Sequence, residues 1–112
     1  MNLAIIFGGR SYERDISIMT GNCVLSGLIG IHNAYLIEFT GDYEALYSKI
    51  KENKTDLIFI ALHGGEGEDG SLQYFLEARG IKFTGSNSKA SKIAMNKNKT
   101  KEICINNNIE TP

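Results

Sequence analysis

The sequence predicts an α/β domain, an open parallel sheet of about four strands with helices on both faces. Three observations carry that expectation. The runs 3–7 (LAIIF) and 56–62 (DLIFIAL) are apolar without polar alternation, the pattern of strands buried on both faces, as parallel strands are. Stretches with apolar residues at helical spacing separate such runs, and strands that alternate with helices at this pitch call for parallel pairing through right-handed crossovers. Glycines stand directly after both runs, where a chain leaving a strand must turn.

The elements follow in order. Residues 3–7 form the first strand, closed by Gly8 and Gly9. From 15 to about 28, Ile16, Met19, Cys23 and Val24 recur at helical spacing, and Gly27 with Gly30 supplies the stop. Residues 34–39 (AYLIEF) read as a second strand, and Tyr43, Leu46, Tyr47 and Ile50 as a helical stripe bounded by 51–54. The strand 56–62 leads into 63–70 (HGGEGEDG), four glycines in eight residues, and then a helix carrying Leu72, Phe75 and Leu76. Residues 81–84 (IKFT) are expected as a short fourth strand. After Gly85-Ser86, Ala90, Ile93 and Ala94 share a face, and a last helix runs from about 98 to 105 and frays at 106–108. With no internal repeat, linker or boundary, 1–112 reads as a single Rossmann-like domain.

Composition agrees. A chain of 112 residues, 42% hydrophobic and 22% charged with one proline, can build one core and is neither disordered, collagen-like nor of low complexity. A formal charge of -1 provides no global field for nucleic acid or an anionic membrane, so neither partner is expected and a small ligand fits better. Cys23 and Cys104 lack CxxC spacing and are expected as buried free thiols. No leader pattern opens the chain and no apolar run approaches the ~20 residues of a membrane span, which points to the cytoplasm.

Topology brings two loops together, because ligands of open parallel sheets gather where loops leave the carboxyl ends of the strands. The first, 7–17 (FGGRSYERDIS), stands where a dinucleotide fingerprint would appear, yet neither GxGxxG nor GxxxxGK[ST] can be laid over it. Dehydrogenase and P-loop roles are weakened accordingly. Glu13 stands there instead, beside the start of a helix whose free amides favour anionic groups, a pairing that suits the ammonium and carboxylate of an amino acid. Helix capping by Glu13 is the alternative. The second loop carries His63 among glycines that let a ligand approach the backbone. A metal set from His63, Glu66, Glu68 and Asp69 fits no standard ligand spacing, so no metal is expected. One acid is expected to orient His63 and another to cap the next helix. From Lys89 onward five lysines face two glutamates, net +3, leaving -4 for residues 1–88. Without interleaved aromatics this reads as a solvated helix face.

Taken together, 7–21 (FGGRSYERDISIMTG), 60–73 (IALHGGEGEDGSLQ) and 83–101 (FTGSNSKASKIAMNKNKTK) resemble the N-terminal domain of the D-alanine-D-alanine ligases, ATP-grasp enzymes of peptidoglycan precursor synthesis. The three stretches occur in the family's order and cover nearly half the chain. The resemblance implies a pre-ATP-grasp domain of an enzyme that phosphorylates the carboxylate of one D-alanine with ATP and lets the amino group of a second attack the acyl phosphate. It implies Glu13 on the ammonium of the first D-alanine, Ile16 lining that pocket, and His63 beside the substrate carboxylates. Ser17 and Glu68 would support them from behind, and Lys97 would reach an ATP phosphate. Asn96 precedes Lys97 where the family pattern leads one to expect aspartate. The family continues past a point such as Pro112 into central and C-terminal domains that hold ATP and Mg2+ (or Mn2+), and its complete enzymes are expected as homodimers. The 112 residues alone are therefore expected to fold, to hold no cofactor and not to turn over. A stand-alone Rossmann-like module for an amino acid or nucleotide is the alternative.

Overall fold

The computed structural model describes all residues, 1–112. Strand β1 (Asn2–Gly8) lies at the centre of a three-stranded parallel sheet, flanked by β2 (Asn33–Phe39) and β3 (Leu57–Ile60), in the order β2-β1-β3. Ile6 pairs with Ile37 on one side and Ile60 on the other. Helix α1 (Arg14–Leu28) connects β1 to β2, and α2 (Tyr43–Glu52) connects β2 to β3. Beyond β3 come a single 3-10 turn (Gly65–Gly67), α3 (Ser71–Glu77), α4 (Ser88–Met95) and α5 (Lys97–Asn106). No helix is long and apolar enough to cross a membrane.

Alternation along the central strand divides the core. Ala4 and Ile6 point to one face, where Ile37, Phe39, Ile58 and Leu62 join Leu46 and Ile50 of α2 and Leu72 and Leu76 of α3. Leu3 and Ile5 point to the other, with Ala61, and meet Val24, Leu25 and Leu28 of α1. A strand covered on both faces has no solvated side for a polar residue to use, which explains the unbroken apolar runs.

Helix α1 docks by smallness. Its fully buried residues are Ser17 and Gly21, and a Cβ on Gly21 would lie 2.9 Å from Phe7 Cβ. The apolar stripe expected to face the sheet is turned outward in part: Ile16 is 50% and Met19 69% exposed, and Cys23 is exposed as well. Cys104 is half-buried on α5, so neither thiol is buried as expected. Gly27 lies inside α1 rather than at its end, and Gly30, at φ +87°, makes the turn.

The fourth strand shrinks to one parallel bridge, Ile58 with Phe83. Ile58 N donates to Lys82 O and Thr84 N to Ile58 O, both at 2.9 Å. At the next rung Ile60 N donates to the Thr84 hydroxyl at 3.3 Å, and Gly85, at φ +95°, turns the chain away. A side chain thus satisfies the amide that would have extended the ladder.

Candidate functional site at the carboxyl edge of the sheet

The site is built around the ends of β1 and β3. Gly8 and Gly9 leave β1 at φ +93° and +77°, conformations glycine adopts without strain. Gly8 N donates to Ser17 Oγ at 2.9 Å, and that hydroxyl donates to Ala61 O at 2.7 Å. One buried hydroxyl therefore pins the start of α1 to both strand ends.

Ser11 joins the loops directly. Its hydroxyl donates to His63 O at 2.5 Å and accepts from Glu13 N at 3.1 Å. Glu13 stands at the N-cap position of α1, yet its side chain makes no capping bond. Its Oε2 lies 4.0 Å from His63 Nδ1 instead, with the two side chains 56% and 33% exposed. The other ring nitrogen, Nε2, is 2.9 Å from Thr20 Oγ1 on α1. Gly64 permits this approach: a Cβ there would come within 3.1 Å of Ser11 Oγ and 4.0 Å of Glu13 Cδ. Glu68 completes the group, since ligand atoms from Glu13, His63 and Glu68 all lie within 4.8 Å of one another.

The other loop acids are occupied. Glu66 pairs with Arg10 through one oxygen and accepts from Tyr43 OH at 3.1 Å through the other. Burial, then the bond to Glu66 and its charge, push the Tyr43 hydroxyl up to about 12. Arg10 lies over Gly41, where a Cβ would fall 2.6 Å from the guanidinium carbon. Asp69 Oδ1 accepts from Ser71 N at 2.8 Å at the start of α3. A cavity of about 310 Å³ lies between the loops, lined by Arg10, Ser11, His63 and Glu66 among others. A larger hollow of about 900 Å³ between α3 and α4 has Tyr74, Lys89, Lys92 and Met95 on its walls and no histidine.

The fold thus brings Glu13, His63 and Glu68 together, while the Ser17 hydroxyl is taken up by Gly8 N and Ala61 O at the strand ends. Ile16 lies in the first turn of α1, half exposed. Lys97 is not brought in: it is exposed at the start of α5 and lines neither cavity. Asn96 does cap that helix, its Oδ1 accepting from Lys99 N at 3.1 Å. Ser11 and Thr20 escaped the sequence reading, because no spacing rule connects a serine or a threonine to a histidine 40 or more residues away, and only the strand order β2-β1-β3 makes them neighbours.

The sequence profile of the family described as D-ala D-ala ligase N-terminus matches residues 37–86. A D-alanine-D-alanine ligase of Janthinobacterium sp. (strain Marseille) is 44% identical over 98% of this chain and 34% of its own length. One from Wolbachia pipientis is 45% identical over 99% of this chain and 34% of its own. The ligase of Bacillus anthracis, solved in complex with ATP, superposes with a TM-score of 0.83 at 39% identity, covering the whole of this chain and 38% of that one. In sequence and in fold the chain is similar to the N-terminal part of D-alanine-D-alanine ligases. It spans about a third of the length of these ligases. A D-Ala:D-Ser ligase of Enterococcus faecalis shares the domain's fold, with a TM-score of 0.72 at 23% identity. The open parallel sheet, its carboxyl-edge loops and all three recognised stretches fall within the matched region.

Proposed function

We propose that this chain is the N-terminal, substrate-binding part of an ATP-dependent carbon-nitrogen ligase that joins two D-alanines for peptidoglycan precursor synthesis. The observation that carries the reading is the convergence of Glu13, His63 and Glu68 at the sheet edge. Two carboxylates beside one imidazole attract a cationic group, and the ammonium of a first D-alanine supplies it. Helix α1 starts without a side-chain cap, and with Arg14 N donating to Ser11 O, the amides of Asp15 and Ile16 are left to an anionic group of the ligand. Ser11 and Thr20 hold His63 from backbone and ring, so the imidazole is positioned before substrate arrives.

In this reading ATP transfers its γ-phosphoryl group to the carboxylate of the first D-alanine. The amino group of the second attacks the acyl phosphate, forming the peptide bond and releasing phosphate. Such a transfer requires reacting groups held in attack geometry and neutralisation of the phosphoryl charge. This chain offers ATP the exposed amine of Lys97 and no phosphate-cradling loop. Its imidazole-containing cluster suits Mg2+ poorly, since that ion prefers an all-oxygen octahedron. Nucleotide and Mg2+ (or Mn2+) are therefore assigned to further domains of a longer protein, a cytoplasmic homodimer, and the 112 residues alone are inactive.

Phosphate release from ATP tests this, measured with and without D-alanine on the product of the complete reading frame and on the 112-residue chain. D-alanine-dependent release by the longer protein alone is the expected result. Release by the short chain overturns its inactivity, and silence from both overturns the ligase reading. In the active protein, Glu13→Gln is expected to raise the KM for the first D-alanine and lower kcat. Unchanged kinetics would remove Glu13 from the site.

A further inference from the structure

The loop acids divide into two groups. Glu66 and Asp69 are engaged, the first by Arg10 and Tyr43 and the second by Ser71 N. The carboxylates of Glu13 and Glu68 accept no hydrogen bond, and both are exposed. His63 is held through Nε2 by Thr20, which leaves Nδ1 as the nitrogen turned to Glu13. When Nε2–H donates to the threonine oxygen, the lone pair of Nδ1 faces the Glu13 carboxylate, an arrangement that a proton on Nδ1 or a bound cation makes attractive.

The donor set identifies the kind of cation. One imidazole and two carboxylates with an open, solvent-facing fourth side match the three protein ligands plus water common around zinc. Imidazole argues against Mg2+ and Ca2+, which take oxygen donors. Ligand atoms now within 4.8 Å of one another would need to close to roughly 3.5 Å around an ion held at about 2.1 Å. Rotation of two exposed, unengaged glutamates supplies that adjustment, while the bond that Nε2–H donates to Thr20 Oγ1 fixes the ring as partners of metal-bound histidines do.

We propose that Glu13, His63 and Glu68 form a site for a divalent transition metal of the zinc class. Spacing within the 63–70 loop concealed it because one ligand comes from the other loop. The metal would stand where the ammonium of an amino acid was placed above, so the two exclude each other; this exclusion rests on that earlier reading, whereas metal binding does not.

Zn2+ alone, titrated calorimetrically into the 112-residue chain, is the test, with Co2+ absorption reporting the ligand field. One equivalent should bind, and Glu13→Gln or Glu68→Gln should each weaken binding at least ~10-fold, with Thr20→Val also weakening it by ~10-fold or more. The two glutamines replace exposed side chains without hydrogen bonds, so they keep the fold even if His63→Gln does not. Replacing both Cys23 and Cys104 by serine should leave binding unchanged. Absence of binding, indifference to both glutamine variants, or loss in the serine variant overturns the site. D-alanine should displace Zn2+ better than L-alanine, which chelates the free ion equally. Equal displacement with binding intact keeps the metal site and overturns its overlap with the ammonium.

Discussion

Residues up to Glu77 and those from Ser88 onward form helices by different means. In the first region, strands and helices cover each other, and every buried residue of the chain lies there. In the second, α4 and α5 bury no residue, and Met95, Ile103 and Ile105 remain about half exposed or more. What holds α4 and α5 is capping and a side-chain link from α3 rather than burial. Asn87 accepts from Ala90 N at 2.9 Å, Asn96 from Lys99 N at 3.1 Å, and Glu77 takes both the amide and the hydroxyl of Ser88. Those two bonds from Ser88 hold the Glu77 carboxyl below its ordinary range. The radius of gyration, 15.3 Å against the ~13 Å usual for this length, records the same division. Caps are enough to define where a helix starts, but burial is what assembles distant loops into a site, and the candidate site accordingly sits on the sheet.

The largest test of that contrast is a matched pair of truncations. Leu76→Ala, at a fully buried position, is expected to cost about 2–5 kcal/mol in chemical denaturation, whereas Ile105→Ala should stay within about 0.5 kcal/mol. Equal effects would erase the distinction between the regions. Next in size is Ser17→Ala, which leaves Gly8 N and Ala61 O without their shared partner at a buried position and should cost about 1–3 kcal/mol. It sharpens the comparison because a polar contact in the buried region is expected to outweigh one in the capped region. Asn96→Ala measures the latter: a loss of about 1 kcal/mol, visible as faster amide exchange in α5 with the sheet amides unchanged.

The last effect appears only in alkali. Because the Tyr43 hydroxyl is raised from 10 to about 12 in the folded chain, its contribution is fully present below pH 10 and fades as pH climbs toward 12, where the unfolded chain releases its proton first. Tyr43→Phe should therefore show a shallower loss of stability than the parent across that interval. A parallel decline in both proteins would place the alkaline loss elsewhere.

How much was legible in advance differs by residue for physical reasons. Ile5 and Ile6 lie in a strand covered on both faces, and an unbroken apolar run has few other readings. The packing face of α1 was legible only in part: of the four residues that apolar spacing selects, Val24 packs on the sheet while Ile16, Met19 and Cys23 are exposed, and the sheet accepts Ser17 and Gly21 for their small size. The fourth strand was overestimated because the alternation in 81–84 says nothing about Thr84 supplying a hydroxyl to Ile60 N. Glu13 and His63 stood out singly as charged or titratable groups beside glycines, whereas Ser11 and Thr20, which hold His63, carry no pattern at all.

The amino-acid sequence alone determined the order of strands and helices, the parallel sheet and the two loops at its carboxyl edge. Periodicity, apolar runs and glycine placement are local properties, and right-handed crossovers leave few ways to assemble them. Only the tertiary structure decided which of the loop acids are engaged and which are free, that Glu13 turns to His63 rather than to the helix it precedes, and that Glu68 joins them. Those outcomes depend on distances between groups about 50 residues apart in the chain, and such distances are set by packing on both faces of the sheet rather than by neighbours in sequence.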